Sequence, residues 1–179
     1  MRRLLLFSSF LVMLLHTSVS LNVHGATEEE HVKAVFLYNL IHFVSWPQET
    51  MNNRNTFTIG VLGDVYFSEI VEEAVKGEKK GGLPIQMVYF EDVESALRMQ
   101  PHLLFISENY VLQWFTSNPG VNSLPILTVG DSKQFCQQGG MVNLLNIHNR
   151  IQIEINPDAV EPAGISISSK LLSLAKLVK

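Results

Sequence analysis

Between residues 28 and 46 apolar side chains return at steps of three and four: Val32, Val35, Phe36, Leu40, Phe43 and Val44. That is the period of one helical face, and Glu28, Glu29 and Glu30 suit the positive end of a helix dipole, so the pattern predicts a helix over 28–46. Pro47 ends it, because a proline disfavours helical conformation in the residue before it. A polar linker is expected over 51–56. Four short apolar runs follow, at 57–62, 85–90, 103–106 and 124–129, alternating with helical stretches at 67–76, 92–99, 108–116 and 132–137. Strand-helix alternation of this kind predicts an α/β fold, a three-layer sandwich with a largely parallel central sheet. The basic, glycine-rich stretch 77–82 is the expected mobile loop.

The end of the chain changes period. Ile151, Ile153 and Ile155 alternate with Gln152 and Glu154, and residues 141–147 precede them across a His148-Asn149 turn. A period of two predicts an antiparallel hairpin at one sheet edge, with the isoleucines buried and Glu154 exposed. Asn156-Pro157 reads as a helix N-cap followed by proline at the first helical position. A final amphipathic helix is expected over 169–179, carrying Leu171, Leu172, Leu174, Ala175 and Val178.

The first 25 residues belong to a different pattern. Arg2 and Arg3 precede an apolar run from Leu4 to Leu15, and small residues follow at Ser18 and Ser20. This is the layout of a cleaved secretory signal, with cleavage at about Ser20 or Gly25. The apolar run is too short to span a bilayer, which takes about 18 residues or more. The expected organisation is a signal peptide over 1–25 and a single domain over 26–179. Removing the leader changes the charge balance. The whole chain of 179 residues has 13 Lys plus Arg against 17 Asp plus Glu; without Arg2 and Arg3 it has 11 against 17, a net of −6. An acidic domain is a poor general binder of nucleic acid. A leader with no N-x-Ser/Thr sequon anywhere after it fits a bacterial periplasm.

Catalytic chemistry is hard to find. The stretch Gly164-Ile-Ser-Ile-Ser168 approaches a nucleophile elbow around Ser166, but its fifth residue is serine and it precedes a helix. The histidines from residue 24 onward (His24, His31, His42, His102 and His148) are scattered and form no zinc-binding motif. His42, on an apolar helix, and His102, before a strand, read as packed structural residues. Cys136, the single cysteine, reads as a small buried hydrophobe. Trp46 and Trp114 read as core, or as interface anchors if exposed. No catalytic residue, metal or cofactor is expected.

Strand ends offer a second reading. Gly63, Asp64, Ser107, Gly130 and Asp131 all fall where a strand gives way to a helix. Asp64, Ser107 and Asp131 read first as N-caps, with Gln134 at a capping-box spacing from Asp131. Open α/β sheets also bind small ligands beyond their strand C-termini, so the same five residues form the alternative, a ligand-binding crevice.

Six stretches carry a resemblance: residues 33–47 (KAVFLYNLIHFVSWP), 57–64 (FTIGVLGD), 102–107 (HLLFIS), 126–145 (ILTVGDSKQFCQQGGMVNLL), 151–156 (IQIEIN) and 164–178 (GISISSKLLSLAKLV). Together and in this order they resemble the YfiR-like family of periplasmic regulators. The resemblance implies a non-enzymatic α/β domain, often a homodimer. It implies a partner in the periplasmic domain of an inner-membrane diguanylate cyclase, held inactive until release raises cyclic-di-GMP and favours biofilm formation. Relatives accompany other membrane signalling proteins, so a sensor kinase is the other partner class. Matching by the G-G-M-V and I-E-I-N motifs places the partner surface at Val142, Glu154, Val160 and Val178. The chain departs from the family at its cysteines. Pro101 stands where relatives commonly have one, and Cys136 has no partner near Asn143, so disulfide-based redox control is not expected.

Overall fold

The computed structural model describes residues 28–52, 54–117 and 120–178; the leader assigned to residues 1–25 lies outside them. In chain order the elements are α1 (Glu28–Leu40), β1 (Val44–Ser45), α2 (Gln48–Asn52), β2 (Phe57–Leu62), α3 (Val65–Val75), β3 (Lys79–Lys80), β4 (Leu83–Phe90) and α4 (Val93–Met99). Then follow β5 (Leu103–Ile106), α5 (Glu108–Ser117), β6 (Leu127–Gly130), β7 (Val142–Ile147), β8 (Arg150–Ile155), α6 (Pro157–Val160), β9 (Ser166–Ile167), α7 (Ser169–Leu174) and β10 (Lys176–Leu177).

One eight-stranded sheet runs in the order β10-β8-β7-β6-β5-β2-β4-β3, and β1 pairs with β9 in a separate two-stranded ribbon. The four central strands β6, β5, β2 and β4 are mutually parallel, and β7 joins them parallel to β6. Every residue of β2 is buried, which explains why its sequence is a continuous apolar run rather than an alternating one. Helices cover both faces. On one face α1 packs against α3, over a core holding Leu37, Phe57, Ile59, Phe67 and Leu103, which Val160 and Leu171 extend. On the other, α4 and α5 close over Leu62, Phe90, Leu104, Ile106 and Trp114. This is the α/β sandwich that the alternation predicts, with the hairpin β7–β8 towards one edge. His148 and Asn149 both take positive φ, at 53° and 59°, the mirror-image turn that joins twisted antiparallel strands in two residues.

Five local expectations are corrected. The first helix stops at Leu40, and Val44–Ser45 become a strand against β9. The Lys80 ammonium donates to the carbonyls of Ile41 and Val44, which holds this segment out of helical pairing. Part of the expected polar linker is helical, in α2. The stretch 77–82 is pinned rather than loose, since β3 pairs with the start of β4 and Lys80 is anchored as described. Residues 132–137 form turns instead of a helix, because the Phe135 ring is drawn back onto the backbone of Gly130 and Gly140. The last helix ends at Leu174: the open edge of β8 captures the chain after it, with β10 parallel to β8 and Val178 N–H bonded to the Ile155 carbonyl.

Candidate functional site

The hairpin β7–β8 brings Val142 and Glu154, two of the residues expected at a partner surface, together near the C-terminal edge. Val142 pairs with Ile155 across the hairpin, and Asn143 with Glu154. Lys176, on β10, pairs in register with Glu154, and its ammonium lies 2.7 Å from Glu154 Oε1. Glu154 is not exposed as its alternation suggests: it is only 3% accessible. The turns after β6 cover that face of the hairpin, with Asn143 Nδ2 donating to the Ser132 carbonyl and Asn156 Nδ2 to the Cys136 carbonyl, both across the buried interior. Val142 and Val160 are also buried, and Val178 is half-buried.

The surface beside them is apolar. Asn156 caps α6 by accepting from Ala159 N–H at 3.1 Å, with Pro157 at the first helical position as predicted, and the buried Val160 on this turn forms part of the floor of a shallow groove. The groove has a volume of about 370 Å³, with Ile155, Pro157, Val160, Ile165, Ile167 and Leu172 among its lining. In the segment that follows, Leu174 is 71% and Leu177 56% exposed, unusual for leucines. Sequence reasoning placed Leu174 on an amphipathic helix and missed both leucines and Lys176. The signal lost was a long-range one, the free edge of β8.

Cys136 is fully buried, and burial pushes its thiol up to about 12, with the Glu154 carboxylate adding to the shift. It is inert as a nucleophile in that state. His102 is buried as well, stacked on Phe57 at 4.5 Å, with its Nδ1 accepting the Thr58 N–H. Burial, helped by the Arg54 charge, lowers its pKa to about 4, so it is a neutral structural acceptor. Trp46 is core and donates to the His102 carbonyl at 2.8 Å, and Trp114 is fully buried. His42 departs from the packed reading: it is exposed on the turn after α1, its ring edge-on to Tyr38 at 5.0 Å. Ser166 lies on β9 opposite Ser45.

The strand-end residues lie at the other chemically notable place, outside the carboxyl ends of β2, β5 and β6. Asp64 caps α3, accepting from Phe67 N–H at 2.8 Å. Ser107 contributes its carbonyl, not its hydroxyl, to the start of α5, and its buried Oγ has no hydrogen-bond partner among the described residues. Asp131 caps nothing; it binds the Lys33 ammonium at 2.8 Å, which also reaches Glu29 at 2.6 Å. Burial of Lys33 opposes its charge, but the two carboxylates prevail and raise its pKa. Gly63 and Ser107 sit side by side, and the Tyr110 ring lies over Gly63, so close that a Cβ there would fall 2.2 Å from it. Phe135 covers Gly130 in the same manner. Among the described residues there is no cluster of His, Cys, Asp or Glu suited to a metal ion, and no helix long and apolar enough to cross a membrane.

Two solved structures share the fold. The ABC domain from Streptococcus pneumonia, in complex with L-Trp, superposes with a TM-score of 0.54 at 14% identity, over 81% of this chain and 60% of that one. A conserved domain protein from Vibrio cholerae O1 biovar El Tor gives 0.54 at 16% identity, over 84% and 60%. The chain thus spans 60% of the length of each, and at such identity the likeness is one of fold. No curated protein matches the sequence. The YfiR/HmsC-like family profile matches residues 30–176, from the first turn of α1 to the first residue of β10. The chain therefore belongs to the YfiR/HmsC-like family.

Proposed function

We propose that this protein is a periplasmic repressor: it binds the periplasmic domain of an inner-membrane signalling enzyme, a diguanylate cyclase, and lowers cyclic-di-GMP. In this reading residues 1–25 are a cleaved signal peptide and the secreted domain works as a homodimer, without catalysis. The observation that carries it is the family match over nearly the whole described chain. The C-terminal edge supplies a surface suited to the task. That edge carries an apolar groove lined in part by Val160 and, in the chain that follows Leu172 of its lining, the exposed Leu174 and Leu177; buried apolar anchors dominate the energetics of protein interfaces. Val142 and Glu154 serve that surface from beneath, as its frame.

The small-ligand reading of Gly63, Asp64, Ser107, Gly130 and Asp131 draws less support from the geometry. Tyr110 and Phe135 fill the space over the two glycines, and Lys33 neutralises Asp131. The repressor reading is tested by measuring cyclic-di-GMP in cells lacking the gene and in cells complemented with the full chain or with residues 26–179 alone. A rise on deletion, reversed only by the chain that carries its leader, is the expected result. Unchanged cyclic-di-GMP on deletion refutes it.

A further inference from the structure

The sheet has a second edge, opposite the C-terminal one, and it is open. Strand β3 pairs only with Leu83 and Pro84, so β4 from Gln86 to Phe90 has no strand on its outer side among the described residues. The direction of its backbone groups follows from two bonds. Ile85 N–H points outward to the Glu78 carbonyl, and the Phe90 carbonyl points inward to Gly63 N–H. Alternation along a strand then turns the N–H and C=O groups of Met87 and Tyr89 outward, unpaired. Edge strands are normally blunted by charge, proline or a bulge. Residues 85–90 read Ile-Gln-Met-Val-Tyr-Phe and contain no charge and no proline. They also pair with β2 at every position without a bulge.

Both sides of this edge are grooved, and carboxylates outnumber cations on both rims: Glu69, Glu72 and Glu73 against Lys76 on one, Glu91 and Asp92 against Arg98 on the other. Towards α3, Met87 forms part of a groove of about 410 Å³ rimmed by the exposed Glu69 and Glu72, neither of which has an ion-pair partner among the described residues. Towards α4, Val88 lines a groove of about 510 Å³ rimmed by Glu91 and Asp92. A second copy of β4 would set two net-acidic rims against each other. A basic segment would meet an excess of opposite charge on both sides while its backbone completed the ladder.

We infer that the outer edge of β4 is a docking site for an extended, basic segment of a partner protein, which adds to the sheet as a ninth strand. This is independent of the C-terminal surface proposed above, and it lets one molecule hold two partners at opposite edges.

The test uses the purified protein and a fluorescein-labelled octapeptide of alternating lysine and valine, with an alternating glutamate and valine peptide as control. Tyr89→Pro removes one outward N–H at a position where an edge strand tolerates proline. Glu69→Lys with Glu72→Lys inverts one rim using exposed residues only. The expected result is saturable binding of the lysine peptide alone, about tenfold weaker in each variant, with unchanged melting temperatures. Amide exchange should slow at Met87 and Tyr89 and stay unchanged at residues 151–155. Absence of saturable binding, equal binding of the acidic peptide, or equal binding by the double rim variant would each overturn the inference. So would conversion of a dimer to a monomer by Tyr89→Pro, which would make the occupant a second copy.

Discussion

Two buried side chains have pKa values pushed well away from their ordinary range, and each makes a prediction of its own. His102 takes up a proton only near pH 4 in the folded chain, against about 6.5 when unfolded. Between those values the unfolded chain binds more protons, so stability falls as pH falls through the window. The full loss is about 3 kcal/mol, set by the difference in pKa. Denaturant titrations across that range should show the loss in the wild type and a much flatter profile in His102→Gln. A parallel decline in both would mean the histidine is not responsible. Cys136 makes a simpler case: with its thiol pushed up to about 12 and no access to solvent, it should resist iodoacetamide until the chain unfolds. Rapid labelling of the native protein would contradict the burial. Gly63 makes a third case. Its φ is +81° and a Cβ would fall 2.2 Å from Tyr110, so Gly63→Ala combines backbone strain with overpacking. A loss of about 2 kcal/mol or more is expected by denaturant unfolding. A change below about 0.5 kcal/mol would place that variant among ordinary surface substitutions and contradict the close packing.

At the scale of elements, the C-terminal strand is the part most in need of explanation. Two residues of ladder and one ion pair fix β10 to β8. Glu154 is buried while its partner Lys176 stays largely exposed, so the pair is asymmetric. Removing the cation strands a buried carboxylate, whereas Glu154→Gln leaves a neutral group that still accepts a hydrogen bond. Lys176→Met should therefore cost about 1–2 kcal/mol, more than Glu154→Gln, with solvent around Lys176 limiting the figure. Equal costs in chemical denaturation would mean that the carboxylate gains nothing from its partner. These elements also show what a sequence carries and what it does not. The buried run of β2, the period-two hairpin and the Asn156-Pro157 cap are local patterns, and each was legible. Residues 169–179 have a helical period too, yet β8 offers unpaired backbone groups that outcompete its last turn. Glu154 reads as exposed because alternation assumes one wet face, and only the fold reveals that the turns around Cys136 cover it. Leu174 and Leu177 were illegible as a site for the same reason, since their exposure depends on where β10 lands.

For the whole molecule, the sheet order separates two candidate docking edges, with the packed interior between them. The central claim concerns the C-terminal one. Leu174→Asp with Leu177→Asp changes only exposed side chains, so the melting temperature should stay close to wild type; single surface changes usually alter stability by less than about 0.5 kcal/mol. The most direct measurement is a calorimetric titration of the purified protein into the periplasmic domain of the inner-membrane diguanylate cyclase it is proposed to repress, wild type against this double variant. The account predicts a saturable complex for the wild type and binding weakened by about tenfold or more for the variant. No complex with the wild type, or equal affinity for both proteins, would contradict it.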